Sequence, residues 1–298
     1  MSGRAARILA QAKINLALRV FGLRPDGYHS IETVFLRLEL GDDVEVRTTR
    51  GERSVRCFEM RDARPEDNLA YRAAELYAKE TGWPKGFEIE IVKNIPIGGG
   101  LGGGSADAAG VLRILNTLAT TPVPYEKLLE MAAQLGSDVP FLAGDQVMAM
   151  SWGRGERMLA LKPLPPREVE LFFPPFGVNT GEAYAMLDAH RGEYSGPGPA
   201  MTTEMFRDWE SAARNSVNDF EAVMRLRHPE IDSLLAHGEK YGQFYRMSGS
   251  GSTVFKVAGV STRSMLADDE LPQHALPEGT ERIFTRTAWS VVPVELLD

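Results

Sequence analysis

Cysteine is nearly absent from this sequence, since Cys57 is the only one among 298 residues. A single thiol excludes a disulfide within the chain and any metal site built from several cysteines. Long apolar runs are missing too. No stretch approaches the roughly 18 apolar residues of a membrane-spanning helix, and residues 1–12 lack the apolar core of a signal peptide. We therefore expect a cytoplasmic protein with no membrane partner.

An excess of positive charge is also missing. Lys and Arg number 33 against 41 for Asp and Glu, which gives a formal net charge of -8. Proteins that neutralise nucleic-acid phosphates usually carry a basic surface, so we expect no nucleic-acid partner. A local positive pocket can still exist on an acidic protein, and an anionic small molecule therefore stays compatible with this balance.

Apolar and polar residues alternate in several early segments. Residues 8–20 follow the two-residue period of a half-buried strand, and this places Lys13 and Asn15 on the same face. Residues 31–39 and 43–47 are further strand candidates. Because these strands come in a cluster rather than in strict alternation with helices, the pattern favours an α+β fold.

Helix signals begin after this cluster of strands. Residues 66–80 are predicted to form a helix, with Asp67 as its N-cap and Gly82 just past its end. A proline-rich stretch makes a domain boundary plausible within residues 151–167. Residues 282–292 are predicted to form the final strand.

The strongest single signal is a glycine-rich loop. Six of the seven residues from Gly98 to Gly104 are glycine, at a considerable cost in backbone entropy on folding. Such a loop can direct its bare amide N–H groups into one concavity, and a helix predicted to begin near Ser105 adds its positive end. The loop therefore predicts a polyphosphate site.

Other readings of this loop fit less well. A Walker A motif requires Gly-Lys-Ser/Thr, whereas Gly104 is followed by Ser105 and Ala106. The G-x-G-x-x-G pattern matches formally, but residues 120–124 do not read as the next strand of a dinucleotide-binding unit. Neither His-Arg-Asp nor Asp-Phe-Gly follows, which argues against a protein kinase. A flexible linker is disfavoured by the strand and the alanine-rich helix on either side.

The glycine loop resembles the second motif of the GHMP kinases, which include galactokinase, homoserine kinase and mevalonate kinase. Further blocks resemble the members of this family that act on a cytidine diphosphate sugar alcohol. These blocks are residues 12–16, 24–29, 67–69, 135–141 and 248–252. Ala106 stands where many members carry a second serine, and residues 181–213 match poorly.

This resemblance implies a two-domain GHMP kinase fold with the active site in the inter-domain cleft. Residues 1–153 would form the ATP-binding N-terminal domain and residues 154–298 the C-terminal, substrate-side domain, with the last strand packing back on the first domain. The implied reaction is ATP-dependent phosphorylation of an alcohol, a step of the non-mevalonate isoprenoid precursor pathway. ATP and Mg²⁺ are the implied cofactors, and a small-molecule cytidine diphosphate sugar alcohol is the implied acceptor.

By the same resemblance, Lys13 and Asp138 form the catalytic pair. An aspartate can accept the proton of an attacking hydroxyl, and a nearby cation helps by polarising that hydroxyl. Two plainer roles stay open on the residues alone. Asp138 also fits a helix N-cap before Val139 and Pro140, and Lys13 also fits a solvated charge on a strand.

The implied nucleotide site includes Asn68 near the adenine and Ser105 near the β-phosphate or Mg²⁺, while the metal ligands are otherwise unknown. Both residues also fit ordinary roles, as a surface polar residue and a plain N-cap. Lys93 is equally compatible with a surface position. The implied nucleotide-binding set is Asn68, Lys93, Pro96, Gly98, Gly99, Gly100, Leu101, Gly102, Gly103, Gly104, Ser105 and Ala106.

On the acceptor side, Tyr28, Phe35 and Tyr184 are candidates to sandwich a pyrimidine ring. Phe35 also fits a core position. Gly249, Ser250 and Gly251, called here the third glycine cluster, also fit a tight turn. The implied acceptor set is Asn15, Tyr28, His29, Phe35, Asp138, Thr180 and Tyr184, with Gly249, Ser250 and Gly251 shaping the site.

Two rival functions stay open at the level of the sequence. One is a GHMP kinase of the homoserine or mevalonate type, whose acceptors offer no base for the aromatic set to stack on. The other is a non-catalytic nucleotide-binding protein on the same fold, which would not need both Lys13 and Asp138. The chain is expected to be a monomer or a homodimer.

Overall fold

A computed structural model describes residues 3–25, 27–60, 64–191, 200–262 and 276–297. Its strands are β1 (Ala5–Leu23), β2 (His29–Thr49), β3 (Arg53–Cys57), β4 (Gly86–Val92), β5 (Met148–Gly153), β6 (Arg157–Ala160), β7 (Glu168–Phe173), β8 (Gln243–Met247), β9 (Val254–Ser261), β10 (Glu281–Arg286) and β11 (Glu295–Leu297). Its α-helices are α1 (Leu69–Thr81), α2 (Gly103–Leu118), α3 (Tyr125–Leu135), α4 (Val139–Ala143), α5 (Thr180–Arg191), α6 (Trp209–Asn215), α7 (Glu221–Arg227) and α8 (Pro229–Tyr241). This mixture of segregated strands and helices confirms the predicted α+β class.

A large first sheet is built around the long strands β1 and β2. Five of its strands lie in the order β11-β1-β2-β4-β3. β2 pairs with β5 through residues 31–36 and with β4 through residues 43–49. β6 then continues from β5. The two strands predicted at residues 31–39 and 43–47 are therefore one continuous strand whose two halves have different partners.

Two irregularities in the pairing of β1 with β2 frame the residues predicted to be catalytic. The register shifts between Gln11 and Lys13 and again between Asn15 and Ala17. The amide of Lys13 donates to the carbonyl of Leu101 in the glycine loop at 3.0 Å. Bulges of this kind redirect side chains locally. Here they leave Lys13 and Asn15 facing the loop rather than the solvent.

The second sheet has the order β10-β7-β9-β8, and the chain enters it at Glu168. Its buried side chains join the same core cluster as those of the first sheet, for example Phe255 with Leu16. The late segment β11 returns to the first sheet and pairs with β1, from Ala5↔Leu297 to Arg7↔Glu295. The placement of the domain boundary at residues 153 and 154 stays a prediction.

Helix α1 begins later than its sequence pattern predicted. Residues Pro65–Asp67 form a 3-10 helix, and Asn68 is the N-cap, whose Oδ1 accepts hydrogen bonds from the amides of Ala70 and Tyr71. The prediction that Asp67 caps this helix was wrong, because its carboxylate pairs with Arg64 instead. Gly82 lies just past the end of the helix, as predicted, and adopts the left-handed conformation.

Two other predicted boundaries also changed. Helix α2 begins at Gly103 rather than near Ser105, and the last strands are β10 and β11 rather than one strand over residues 282–292. The sequence also predicts a Gly/Pro-rich loop at residues 192–199 and a short helix at residues 261–267, but the loop and most of that helix lie outside the described residues. Among the described helices, none is long and apolar enough to cross a membrane.

Candidate active site

A cavity of about 910 Å³ opens between the glycine loop, β1, and the N-terminal ends of α4 and α5. It brings together nearly all the site residues predicted from the sequence. Ala106 and Gly251 are the exceptions: Ala106 belongs to the core, and Gly251 lies against Met247. The predicted residues that line the cavity are Lys13, Asn15, Tyr28, His29, Phe35, Asn68, Lys93, Pro96, Gly98, Gly99, Gly100, Leu101, Gly102, Gly103, Gly104, Ser105, Asp138, Thr180, Tyr184, Gly249 and Ser250.

The glycine loop adopts a backbone that only glycine tolerates easily. Gly98, Gly100 and Gly102 have φ angles of 78°, 77° and 74°. The first amides of any helix have no intrahelical acceptor. Gly102, the N-cap of α2, has no side chain to accept from them. These amides and the positive end of the helix suit an anion.

Two lysines pack against this loop because its glycines lack side chains. A Cβ on Gly102 would lie 3.1 Å from Cε of Lys13, and a Cβ on Gly103 would lie 3.3 Å from Nζ of Lys93. The loop therefore has a cation on each side. Both ammonium groups are also paired with carboxylates, so the anion site is built mainly from the loop amides and the positive end of the helix.

Lys13 and Asp138 contact each other beside the loop. The distance from Nζ of Lys13 to Oδ2 of Asp138 is 3.2 Å, and the two side chains are 3% and 27% exposed. Lys13 also donates to Oδ1 of Asn15 at 2.7 Å and to the carbonyl of Gly100 at 3.0 Å. The lysine is thus held in place while the carboxylate stays reachable from the cavity.

Asp138 occupies the N-cap position of α4 but makes no side-chain capping bond. The opposite end of this helix is held by Arg37 on β2. Its Nη2 donates to the carbonyls of Phe141, Leu142 and Gly144 at 2.7–3.0 Å. The short helix is therefore anchored from behind, and the Asp138 carboxylate is left to face Lys13.

The third glycine cluster packs directly on the glycine loop. The amide of Gly249 donates to Oδ1 of Asn15 at 2.9 Å, and the hydroxyl of Ser248 donates to the carbonyl of Gly100 at 2.9 Å. The hydroxyls of Ser250 and Thr180 lie 3.1 Å apart. Asn15 thus contacts both Lys13 and the late segment that completes the cavity wall.

The part of the cavity lined by Lys93 and Asp107 contains a buried charge cluster. Nζ of Lys93 lies 2.8 Å from Oδ2 of Asp107 and contacts Oδ2 of Asp42. Burial lowers the pKa of Lys93, but the carboxylates of Asp107 and Asp42 outweigh this and leave it above its ordinary value. Lys93 is therefore a charged, fixed residue rather than a surface lysine.

Asp107 has an unusual environment for a carboxylate. Its side chain is 7% exposed, and Oδ1 has no hydrogen-bond partner among the described residues. Burial raises its pKa to about 7, since the charge of Lys93 offsets the desolvation only in part and Asp42 adds repulsion. The folded protein therefore binds more protons at this residue than the unfolded chain does between about pH 4 and pH 7.

This difference predicts a pH effect on stability. Because the folded state holds the extra proton, the contribution of Asp107 to stability falls as pH rises through that window. We expect Asp107→Asn to remove this slope. Urea unfolding of both proteins from pH 5 to 7.5 measures the effect. The free energy of unfolding of the variant minus that of the wild type should increase as pH rises. Parallel curves would contradict the prediction.

The part of the cavity lined by Tyr28, Phe35 and Tyr184 differs from the expected sandwich of three aromatic rings. Phe35 is 0% exposed and stacks on Phe141 at 5.0 Å, so the core interpretation describes its position better. Tyr184 stacks on His29 at 4.7 Å. Of the three rings only Tyr28 is well exposed, at 51%. The three rings therefore do not form one open clamp.

His29 is held in this part of the cavity by a carboxylate. Its Nε2 lies 3.0 Å and 3.1 Å from the two carboxylate oxygens of Asp188. Burial, and to a smaller extent the charge of Asp138, raises the pKa of the neighbouring Tyr184 to about 12. Tyr184 therefore keeps its proton at neutral pH.

Comparison with known proteins agrees with this geometry. The GHMP kinases N terminal domain family matches residues 68–152. The 4-diphosphocytidyl-2-C-methyl-D-erythritol kinase of Pelotomaculum thermopropionicum is 41% identical over 83% of this chain and 87% of that protein. The enzyme of the same name from Thermotoga maritima is 39% identical over 84% and 91%. The chain belongs to the 4-diphosphocytidyl-2-C-methyl-D-erythritol kinase family.

Solved structures support the same assignment. A crystal structure of 4-(cytidine 5'-diphospho)-2C-methyl-D-erythritol kinase is 36% identical, with a TM-score of 0.69 over 85% of this chain and 90% of that one. Homoserine kinase from Cytophaga hutchinsonii has a TM-score of 0.67 at 16% identity, covering 98% and 97% of the two chains. That second likeness shows the fold alone. The GHMP kinase fold predicted from the sequence is confirmed.

Four charged residues at the site of this kinase were not predicted from the sequence. Asp42 and Asp107 hold Lys93, Asp188 holds His29, and Arg154 lines the cavity beside Tyr28. Asp107 stands only two residues after Ser105, and Arg154 stands in a Gly-Arg-Gly turn. These positions in the sequence could have indicated that Asp107 and Arg154 belong to the site. Asp42 and Asp188 come to the site only through tertiary packing.

Proposed function

We propose that this chain transfers the γ-phosphoryl group of ATP to the 2-hydroxyl of 4-diphosphocytidyl-2-C-methyl-D-erythritol, within the non-mevalonate route to isoprenoid precursors. The observation that carries the proposal is the Lys13–Asp138 contact beside the glycine loop. A carboxylate and a fixed cation are what an attacking alcohol needs next to a bound phosphate. A protein that only binds nucleotides needs neither.

The reaction needs one proton transfer and one in-line displacement. Asp138 accepts the proton of the hydroxyl, whose oxygen forms a bond to the γ-phosphorus while the bond to the β-phosphate oxygen breaks and ADP leaves. Lys13 stands beside the developing negative charge and stabilises it electrostatically. Asn15 keeps Lys13 at that position. Most of the catalytic effect then comes from placing these groups in advance.

The phosphates of ATP are proposed to lie on the amides of the glycine loop, with Asn68 and Lys93 at the nucleotide end. The acceptor would extend from Asp138 towards Tyr28 and His29. Thr180 and Tyr184 line the same wall, and Gly249 and Ser250 close it. We propose that the units built around the two sheets are the two domains, so that the cavity lies where they meet.

The residues at the loop fit a magnesium ion held mainly by the nucleotide. The described residues contain no cluster of three or more His, Cys, Asp or Glu side chains suited to a metal. Mg²⁺ in kinases is commonly bound by substrate phosphates, water and only one or two protein groups. The Ser105 hydroxyl, in the first turn of α2, is the protein group proposed to hold it. When bound, the ion neutralises phosphate charge.

A substrate panel tests the proposal. ADP release is measured with Mg-ATP and, in parallel, 4-diphosphocytidyl-2-C-methyl-D-erythritol, homoserine or mevalonate. We expect turnover with the cytidyl acceptor alone, because only that acceptor offers a base and a diphosphate to the far end of the cavity. Turnover only with another alcohol would keep a kinase and overturn the acceptor. Tight ATP binding without any turnover would point to a nucleotide-binding protein.

A further inference from the structure

Arg154 occupies a tight turn between β5 and β6 that leads into the cavity. The glycines on either side of it have φ angles of 79° and 111°. A Cβ on Gly155 would lie 2.7 Å from the carbonyl oxygen of Ser137, so the turn packs against the residue that precedes Asp138. The amide of Arg154 donates to the Glu156 carboxylate at 2.6 Å. The base of the side chain is therefore fixed close to the proposed catalytic aspartate.

The guanidinium of Arg154 reaches the other end of the acceptor region. Its central carbon lies 3.8 Å from the centroid of the Tyr28 ring. A cation over an aromatic face is held by the ring's quadrupole and loses less freedom when it binds a ligand. Arg154 thus spans the region between Tyr28 and the segment carrying Asp138.

Arg154 differs from the other basic residues of the cavity wall in having no carboxylate partner among the described residues. Lys13 is paired with Asp138, Lys93 with two carboxylates, and His29 lies against Asp188. Within the part of the chain that the structure describes, no carboxylate lies within ion-pair distance of the Arg154 side chain. An unpaired guanidinium facing a cavity suits an anion, because its planar fork can donate two parallel hydrogen bonds to a phosphate.

We propose that Arg154 binds the diphosphate of the acceptor and is a specificity-determining residue of this enzyme. The inference rests on the proposed function. If the 2-hydroxyl lies at Asp138 and the cytosine lies near Tyr28, the diphosphate that links them must cross the span that Arg154 covers. Arg154 then selects acceptors that carry a diphosphate over small alcohols without one.

Kinetic constants of Arg154→Gln test this assignment. We expect the KM for the acceptor to rise roughly 10- to 100-fold, as for the loss of a charge-assisted hydrogen bond. The KM for ATP should stay within about two-fold, because the nucleotide phosphates lie at the glycine loop. Arg154→Lys keeps the charge but loses the planar guanidinium. Its KM for the acceptor should lie between that of the wild type and that of Arg154→Gln. Arg157→Gln is the matched control, since Arg157 is 69% exposed and outside the cavity wall.

A binding measurement separates a diphosphate contact from a merely structural role. Calorimetry compares CDP with cytidine while a non-hydrolysable ATP analogue saturates the nucleotide site. The wild type should prefer CDP, and Arg154→Gln should lose most of that preference. Equal weakening of both ligands, an unchanged preference, or a change confined to the KM for ATP would overturn the assignment. Failure of the proposed function itself would appear separately, as a wild type that does not turn over the cytidyl acceptor.

Discussion

Asp138→Asn is expected to lower kcat by about 10²- to 10⁴-fold, the usual contribution of a general base. Asparagine has nearly the same shape, but it cannot accept the proton of the attacking hydroxyl. Lys13 keeps its hydrogen bonds to Asn15 and to the carbonyl of Gly100, so the cation should stay in place. The amides of the glycine loop are untouched, and nucleotide affinity should therefore change by no more than a few-fold.

The fold should tolerate this substitution. The Asp138 side chain makes no capping bond to α4, and Arg37 holds the opposite end of that helix. Steady-state ADP release gives kcat, calorimetry gives nucleotide affinity, and thermal unfolding reports stability. Asp145→Asn is the control, because this carboxylate follows the same helix but lies outside the cavity wall and contacts Tyr125. A variant at position 138 that kept most of its kcat would refute Asp138 as the base.

Gly100→Ala is expected to destabilise the protein by about 2–5 kcal/mol, which combines a left-handed alanine with overpacking. The φ angle of Gly100 is 77°, and its Cβ would lie 2.2 Å from the carbonyl oxygen of Ser248 and 2.9 Å from that of Gly251. Neither acceptor is the end of a flexible side chain. The glycine loop and the third glycine cluster would have to separate, and the nucleotide site would open with them.

Gly104→Ala is the matched comparison for stability. A Cβ at position 104 would meet no atom within 4 Å, and this residue lies in the first turn of α2. Alanine is a better helix former than glycine, so Gly104→Ala should unfold at the same temperature as the wild type or slightly higher. Thermal unfolding of both variants measures the contrast. Similar melting temperatures for the two variants would show that the backbone at position 100 accommodates a Cβ, which would contradict the prediction.

The features that the sequence predicted best are those set by local chemistry. The alternating pattern of β1 predicted that Lys13 and Asn15 share one face. The run of glycines predicted a loop with exposed amides and a helix after it. Boundaries were less accurate, because Asn68 and Asp67 are both good capping residues. In the structure the Asp67 carboxylate pairs with Arg64, and Asn68 is the residue that caps the helix. The polar and apolar pattern alone could not decide between them.

The parts of the site that were not predicted depend on which residues meet across the fold. Asp42 lies at the middle of β2 and reaches Lys93 only because β2 pairs with β4. Phe35 has an aromatic ring that could stack on a ligand, yet this ring stacks on Phe141 from α4. No local pattern reports such contacts, since each joins elements that are far apart in the chain.

The pairing of β11 with β1 has a consequence for synthesis of the chain on the ribosome. Strand β1 emerges among the first segments, whereas its partner at Glu295–Leu297 and the amide of Val292, which bonds to Gln11, emerge among the last. Residues 5–7 of β1 therefore lack this partner until residues 295–297 have been made. Contacts this distant in sequence slow folding, and an open strand edge invites pairing with other chains. During that interval the strand that also carries Lys13 keeps a short open edge, to which another chain could pair.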